Sequence, residues 1–179
     1  MDNDIYLTKA YRSHQPGTHI DSPLALYTDK VRSEWIDYNG HMSESFYLYA
    51  MGEASDALFR YIGIDEAYRA SGSSFYTVET HINYYQEVAQ GEPLRFTTQL
   101  LGLDQKRLHF FHHMYHGKTG DLLATTEQML LHVDMNTATT APIKAPVLAV
   151  LKEIWQAHEH LPAPTQKGRV MAIPVPKKA

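Results

Sequence analysis

The sequence contains no cysteine among its 179 residues. This absence excludes disulfides, thiolate metal ligands and a cysteine nucleophile. Positive charge is also scarce, because 16 Lys and Arg stand against 20 Asp and Glu and leave a formal net charge of -4. A mildly acidic chain has no broad positive field that would attract nucleic acid or an anionic membrane, so we expect neither partner.

Long apolar runs are missing as well. No stretch approaches the ~20 apolar residues of a membrane-spanning helix, and the start of the chain lacks the basic and apolar regions of a secretory signal. By elimination, the sequence predicts a cytoplasmic protein. Its length corresponds to roughly one domain, and its hydrophobic fraction of 44% is typical of a globular chain.

Patterns along the chain predict the element order strand, long helix, four strands, late helix. Residues 1–23 are expected to form an extension, since turn-forming residues interrupt any period. The long helix, 43–62, has apolar residues at three- and four-residue spacing, with Ser43 as its N-cap and Gly63 after its end. The strands are predicted over 24–36, 75–87, 94–103, 108–116 and 122–135, and the late helix over 147–160.

The breaks between the last four strands are short and rich in turn-forming residues. Consecutive strands are therefore expected to pair antiparallel as a meander. The apolar face of the long helix must then be buried against this curved sheet. The sequence predicts an α+β domain over 24–142, followed at 143–179 by a helix and an irregular tail.

The segment between the first strand and the long helix carries the most chemistry. In order, it contains Asp37, Asn39, Gly40, His41 and Met42. A helix start offers unpaired backbone N–H groups that can stabilise an oxyanion, and we expect the backbone from Gly40 to Met42 to do so. Asp37 can act as a general base or as a nucleophile, while Asn39 and His41 position water or the carboxylate. The alternative is a simple tight turn, in which such residues are common.

The run Asp37-Tyr38-Asn39-Gly40-His41-Met42, followed by a helix, resembles the start of the hotdog-fold acyl-CoA thioesterases, in the 4-hydroxybenzoyl-CoA thioesterase-like superfamily. The resemblance covers about residues 24–142. It implies a hotdog fold with five or six strands, hydrolysis of an acyl-CoA, and self-association into a homodimer or homotetramer. Four blocks, at 34–42, 76–81, 106–109 and 127–134, resemble more narrowly the betainyl-CoA thioesterases of carnitine degradation. That resemblance implies betainyl-CoA as substrate and no separate cofactor.

The acyl group of betainyl-CoA carries a quaternary ammonium, which proteins hold against aromatic rings. The aromatic candidates for substrate binding are Trp35, Tyr38, Tyr47, Tyr76, Tyr84 and Tyr85. Glu79 and Glu127 are candidates for the opposite charge, although a strand carboxylate can equally face solvent. Lys106 and Arg107, in a turn between two strands, either bind the phosphates of CoA or form a solvated charge pair.

Other chemistries fit the spacing less well. His109, His112, His113 and His116 lie along one predicted strand, too far apart or on opposite faces to share a metal ion. His158 and His160 also diverge on the late helix. We therefore expect no metal site and interpret these histidines as surface or cross-strand residues. A serine triad lacks its Gly-x-Ser-x-Gly turn.

Other members of the hotdog group are the remaining alternatives. The hotdog hydratases carry a histidine five residues after their acid, where this chain has Met42. The hotdog regulators add a DNA-binding segment, for which residues 1–23 are too short. A thioesterase for another short or aromatic acyl-CoA stays open, as does a non-catalytic acyl-CoA-binding module.

Overall fold

In the computed structural model, which describes residues 13–173, a long helix lies against one face of a six-stranded antiparallel sheet. The strands are β1 (Thr28–Lys30), β2 (Ser73–Tyr84), β3 (Pro93–Leu103), β4 (Arg107–His116), β5 (Leu122–Asp134) and β6 (Thr139–Thr140). The helices are α1 (Glu44–Tyr61), α2 (Glu66–Ala70) and α3 (Ala145–His158). The predicted α+β hotdog architecture is confirmed. The outer parts of the predicted extension and tail, residues 1–12 and 174–179, lie outside the described residues.

The long helix α1 matches its prediction closely. Its apolar positions, such as Met51 and Leu58, are fully buried and face the sheet. Ser43 occupies the N-cap position with extended backbone, although its side chain makes no capping hydrogen bond. The helix ends before Gly63, whose φ of +91° is a conformation that a residue with a Cβ rarely adopts.

The core consists of two apolar clusters on the helix side of the sheet. The first surrounds Trp35 and Phe96 near the start of α1, and the second surrounds Leu58 and Phe110 near its end. Helix α3 adds Ile154 to the second cluster. Each such side chain stabilises the fold by roughly 1.5–3 kcal/mol through removal of apolar surface from water. Together the clusters fix the position of α1, and with it the segment that precedes it.

The first predicted strand, 24–36, is wrong over most of its length. Only Thr28–Lys30 pair with β3, and Leu24 forms one isolated bridge with Thr98. The chain then turns through a 3-10 helix at Ser33–Trp35, which buries the Trp35 ring against α1. Burial of this large ring outweighs the strand preference of the residues around it.

The predicted meander is confirmed for β3, β4 and β5 but is wrong for β2. The sheet order is β1-β3-β4-β5-β2, so β2 pairs with β5 and lies at the opposite end from β1, while β6 adds to the end of β5. The connection from β2 to β3 contains Val88 and passes beside the segment that precedes α1. There Met42 donates its N–H to Val88 O at 3.0 Å. Helix α2 and strand β6 were not predicted, because so few residues show no period.

A buried polar network lies between α1 and the sheet. His112 is fully buried, with Nδ1 2.8 Å from Thr98 Oγ1 and Nε2 3.0 Å from Ser55 Oγ. Ser55 also contacts Gln128 Oε1 at 3.1 Å. Of the two predicted positions for His112, the surface one is wrong and the cross-strand one is confirmed, since Thr98 is its partner on the neighbouring strand. Burial lowers the pKa of His112 to about 3.

His158 is buried as well, which corrects its predicted position on the surface. Its Nδ1 accepts the Leu100 N–H at 3.0 Å, at the point where the β3–β4 register shifts. The imidazole thus satisfies a backbone donor that the sheet leaves unpaired. Within residues 13–173, no helix has the length and apolar character needed to cross a bilayer.

Candidate active site

The segment from Ile36 to Met42 forms a tight hairpin just before α1. Ile36 and Met42 form a bridge, Asp37 N–H donates to His41 O at 3.0 Å, and Gly40 N–H donates to Asp37 O at 3.0 Å. Gly40 has a φ of +82°, which a glycine adopts without strain. The hairpin therefore holds Asp37 at a fixed place beside the start of the helix.

Asp37 is half-buried, and its two carboxylate oxygens differ. Oδ1 accepts the Asn39 N–H at 2.8 Å, which closes an Asx-turn. Oδ2 accepts no hydrogen bond from the described residues. One oxygen thus orients the carboxylate, and the other is left for water or a thioester carbon.

Two of the three N–H groups that are expected to hold an oxyanion, from Gly40 to Met42, donate to backbone carbonyls of the protein itself. Gly40 N–H and Met42 N–H donate to Asp37 O and Val88 O, so neither is available to a ligand. Among the described residues, the first-turn N–H groups of Glu44 and Ser45 have no acceptor. Among the described residues His41 N–H also has no acceptor, so donors are available to an oxyanion both at His41 and at the start of α1.

A cleft of about 300 Å³ opens beside these N–H groups. It is lined by three tyrosines, two glutamates, a glutamine and a methionine: Tyr47, Tyr84, Tyr85, Glu44, Glu87, Gln86 and Met42. The Tyr47 and Tyr84 rings are perpendicular, with centroids 5.4 Å apart. Asp37 does not line the cleft of this protomer; it lies on the adjoining hairpin, beside Met42, and its charge acts on Tyr47.

The tyrosine hydroxyl groups in the cleft are held by backbone carbonyls. Tyr47 donates to Gln86 O at 3.1 Å, and Tyr84 donates to Glu44 O at 3.2 Å. Burial raises the pKa of Tyr47 to about 12 and also raises the pKa of Tyr84. Both phenols are therefore neutral at physiological pH, and neither hydroxyl is free to act as an acid.

His41 and Asn39 are not arranged around a water site in this protomer. His41 Nδ1 lies 3.3 Å from a Glu87 carboxylate oxygen, in a geometry that does not make a hydrogen bond. Asn39 and Tyr38 are at the exposed tip of the hairpin, and Tyr38 is 97% exposed. The predicted orienting roles of Asn39 and His41 are thus not formed within the single protomer.

Besides Tyr38 at the hairpin tip, two further aromatic candidates lie outside the cleft. Trp35 is 2% exposed, stacks on Phe46 at 5.8 Å and has the Arg32 guanidinium over its ring, so it is a core residue here. Tyr76 is half-exposed on β2, opposite Leu131 and away from the cleft. Tyr84 and Tyr85, by contrast, are at the cleft as their positions in the sequence suggested.

The acidic candidates Glu79 and Glu127 are on the other face of the sheet. Gln128 points toward α1, so its neighbour Glu127 points away from the helix. Glu127 pairs with His109 at 2.8 Å and accepts the Gly168 N–H at 2.7 Å. Glu79 lines the same outer cavity. Sequence reasoning missed Glu44 and Glu87, the acids that do line the cleft, because neither stands in the motif itself.

Lys106 and Arg107 are at the far end of the sheet from the cleft. Arg107 pairs with Asp104 at 2.6 Å and opposes Leu131 of β5, whereas Tyr84 of the cleft opposes Ala124. Ala124 and Leu131 are seven residues apart on β5, so at about 3.3 Å per residue the cleft and Arg107 lie about 23 Å apart along the strand. Within residues 13–173, no group of three or more His, Asp or Glu side chains could hold a metal ion.

Comparison with known proteins identifies relatives of this chain. A family model described as the thioesterase-like superfamily matches residues 31–151. A betainyl-CoA thioesterase of Pseudomonas aeruginosa is 45% identical over 152 residues, which are 84% of this chain and 96% of that protein. An L-carnitine dehydrogenase/betainyl-CoA thioesterase of Rhizobium meliloti is 47% identical over 86% of this chain, which spans 32% of that longer protein.

Among solved structures, a Staphylococcus aureus protein in complex with CoA has a TM-score of 0.77 and 25% sequence identity to this chain. The match covers 88% of this chain and 100% of that one. Sequence family and fold therefore agree. The chain belongs to the thioesterase-like superfamily.

Proposed function

We propose that this chain hydrolyses betainyl-CoA to glycine betaine and CoA, as a step of carnitine degradation in the cytoplasm. The observation that carries the proposal is the 45% identity to a betainyl-CoA thioesterase along nearly the whole of that protein. An aromatic and acidic cleft beside an acidic hairpin suits a short cationic acyl group. The reaction consumes only the acyl-CoA and water, and it needs no further cofactor.

The proposed chemistry uses Asp37 and the start of α1. The thioester carbonyl oxygen accepts hydrogen bonds from Glu44 N–H and Ser45 N–H, which stabilise the negative charge that develops on it. Asp37, through Oδ2, either removes a proton from the attacking water or attacks the carbonyl carbon directly. The carbon–sulfur bond breaks, and the electron pair leaves with the CoA sulfur, which takes up the proton that Asp37 removed from water. If Asp37 attacks directly, the acyl group stays on its carboxylate as an anhydride, and water then hydrolyses this anhydride to release glycine betaine.

The proposed enzyme is a homodimer formed along β2, or a homotetramer built from two such dimers. This strand has twelve residues and no described strand on its outer side. A long open edge with exposed Tyr76 and Val78 favours pairing with a second copy. Antiparallel pairing of two β2 strands would bring the hairpin of one protomer to the same end as Lys106 and Arg107 of the other.

A carboxylate introduced on the outer edge of β2 tests whether two copies of the chain pair along this strand. Val78 is 54% exposed at the β2 bulge, so Val78→Asp should leave the fold of each protomer intact. We expect the variant to sediment as a monomer and to lose most thioesterase activity, because carboxylates would face each other across the two-fold axis. Met171→Asp, at a 98% exposed apolar position, is the matched control. A Val78→Asp variant that remains fully dimeric would contradict pairing along β2.

The partner's Lys106 and Arg107 are the proposed contacts for the CoA phosphates. We expect Lys106→Gln combined with Arg107→Gln to raise KM for betainyl-CoA about tenfold, since two charge-assisted contacts to phosphate are lost. The same variant should hydrolyse betainyl-pantetheine, which lacks the nucleotide phosphates, at the wild-type rate. Lys152→Gln, on the exposed face of α3, is the control. An equal loss on both substrates would assign the pair a structural role.

The proposed activity is tested by thiol release from a panel of acyl-CoA substrates. Betainyl-CoA should be the best substrate, ahead of acetyl-CoA, benzoyl-CoA and octanoyl-CoA. A preference for benzoyl-CoA would contradict betainyl-CoA as the substrate and indicate a thioesterase for aromatic acyl groups. Binding of CoA esters without hydrolysis would indicate a non-catalytic acyl-CoA-binding module.

A further inference from the structure

The cleft beside α1 contains aromatic rings whose polar ends are already engaged. The Tyr47 and Tyr84 hydroxyls donate to backbone carbonyls. The 46% exposed Tyr84 therefore presents its ring rather than its oxygen to a ligand, and the buried Tyr47 ring packs against it at the cleft wall. Their planes are perpendicular at 89°, which gives the cleft two adjoining aromatic walls. Tyr85, 39% exposed, adds a third ring.

The charge of the cleft has one sign. Glu44 and Glu87 line it, and no Lys or Arg of the described residues does. The His41 imidazole lies 3.3 Å from Glu87, and it carries charge only when protonated. Aromatic faces with carboxylates and no hydrogen-bonding cation suit a ligand that is positively charged and cannot donate hydrogen bonds.

The cleft is also contiguous with the expected oxyanion donors. Glu44 contributes both its side chain to the cleft wall and its free N–H to the start of α1. A cationic group and a reacting carbonyl can therefore be bound together only if a short spacer separates them. In a betainyl thioester that spacer is a single methylene group, whereas a longer acyl chain would extend past the tyrosines.

From these contacts we infer that Tyr47, Tyr84 and Tyr85, with Glu44 and Glu87, form a cage for the quaternary ammonium of the acyl group and set the specificity of the enzyme. The inference rests on the proposed thioesterase function and names its substrate-recognition residues. It replaces the candidates Trp35, Tyr38, Tyr76, Glu79 and Glu127, none of which lines this cleft.

The test compares betainyl-CoA with tert-butylacetyl-CoA, a neutral thioester of the same shape. We expect wild-type kcat/KM to be at least about thirtyfold higher for the cationic substrate, since two or more ring contacts and a nearby carboxylate favour it. Equal kcat/KM values for the two thioesters would overturn the cage and leave the thioesterase activity standing. Absence of hydrolysis of either substrate, and of acetyl-CoA, would instead overturn the proposed function.

Variants of Tyr84 separate recognition from structure. Tyr84→Leu removes one ring from a half-exposed position and should lower kcat/KM about tenfold for betainyl-CoA, with little change for the neutral thioester. Tyr84→Phe keeps the ring and should keep the selectivity. Tyr49→Leu, at a similarly exposed tyrosine of α1 outside the cleft, is the matched control. An equal fall on both substrates in Tyr84→Leu would overturn the inference.

Discussion

Replacement of Asp37 by asparagine is expected to lower kcat about 10²- to 10⁴-fold, the range lost when a positioned acid or base is removed. The carboxylate oxygen that holds the turn would survive as the amide oxygen, which can still accept the Asn39 N–H. The hairpin and the start of α1 should therefore keep their geometry. Steady-state thiol release and a thermal unfolding curve measure the two expectations together.

The chain offers a matched control for this change. Asp134 accepts the Asn136 N–H at 2.9 Å in the same two-residue pattern, at the end of β5 and away from the cleft. Asp134→Asn should retain wild-type turnover. If Asp37→Asn keeps turnover within about threefold of the wild type, Asp37 is a turn residue and not the catalytic carboxylate.

The second large effect is expected on stability, at His112. We expect His112→Leu to lower the free energy of unfolding by about 2–4 kcal/mol, because the Thr98 hydroxyl loses its buried partner and Ser55 loses one of its contacts. His113→Leu is the control, since that neighbouring ring points to the other face of the sheet and stacks on Tyr115. A cost for His112→Leu no larger than the control's would contradict the role of the network.

The same residue predicts how stability depends on pH. His112 has its pKa lowered to about 3 by burial, so below the usual histidine pKa of about 6.5 the unfolded chain binds a proton that the folded chain excludes. Stability is then complete above about pH 6.5 and falls as pH decreases, by up to about 1.4 kcal/mol per pH unit for this one group. Burial also lowers the pKa of His113, His132 and His158, which act in the same direction.

Chemical denaturation between pH 7 and pH 4.5 measures this slope. The wild type should lose stability steeply over that interval, and His112→Leu should show a shallower slope despite its lower stability at pH 7. Wild-type stability that is constant over the interval would mean that His112 takes up a proton in the folded state.

The sequence predicted the parts of the fold that depend on local pattern. The periodicity of α1, its end at Gly63 and the short turns of the β3–β5 meander are local signals, and all three are confirmed. The pairing of β2 with β5 depends on competition between distant strands, which no local signal records. The 3-10 turn at Ser33–Trp35 likewise depends on a buried ring finding its place on α1.

The turn that carries Asp37 was predictable from the sequence, and the residues that line the cleft were less so. The turn residues around Asp37 reveal themselves by type and spacing, so the hairpin was located correctly. The glutamates that line the cleft were harder to predict. They depend on which face of a strand each side chain occupies and on the path of the β2–β3 connection, which places Glu87 at the cleft. Local pattern also did not show that Met42 N–H is engaged, because its acceptor, Val88 O, is distant in sequence.

The central claim is that the folded protein turns over betainyl-CoA. The most direct measurement follows free thiol and glycine betaine together during incubation of the purified chain with betainyl-CoA. The account predicts one glycine betaine for each thiol and a kcat/KM of at least about 10⁴ M⁻¹ s⁻¹, as is usual for an enzyme on its own substrate. Release of both products no faster than in buffer alone would contradict it.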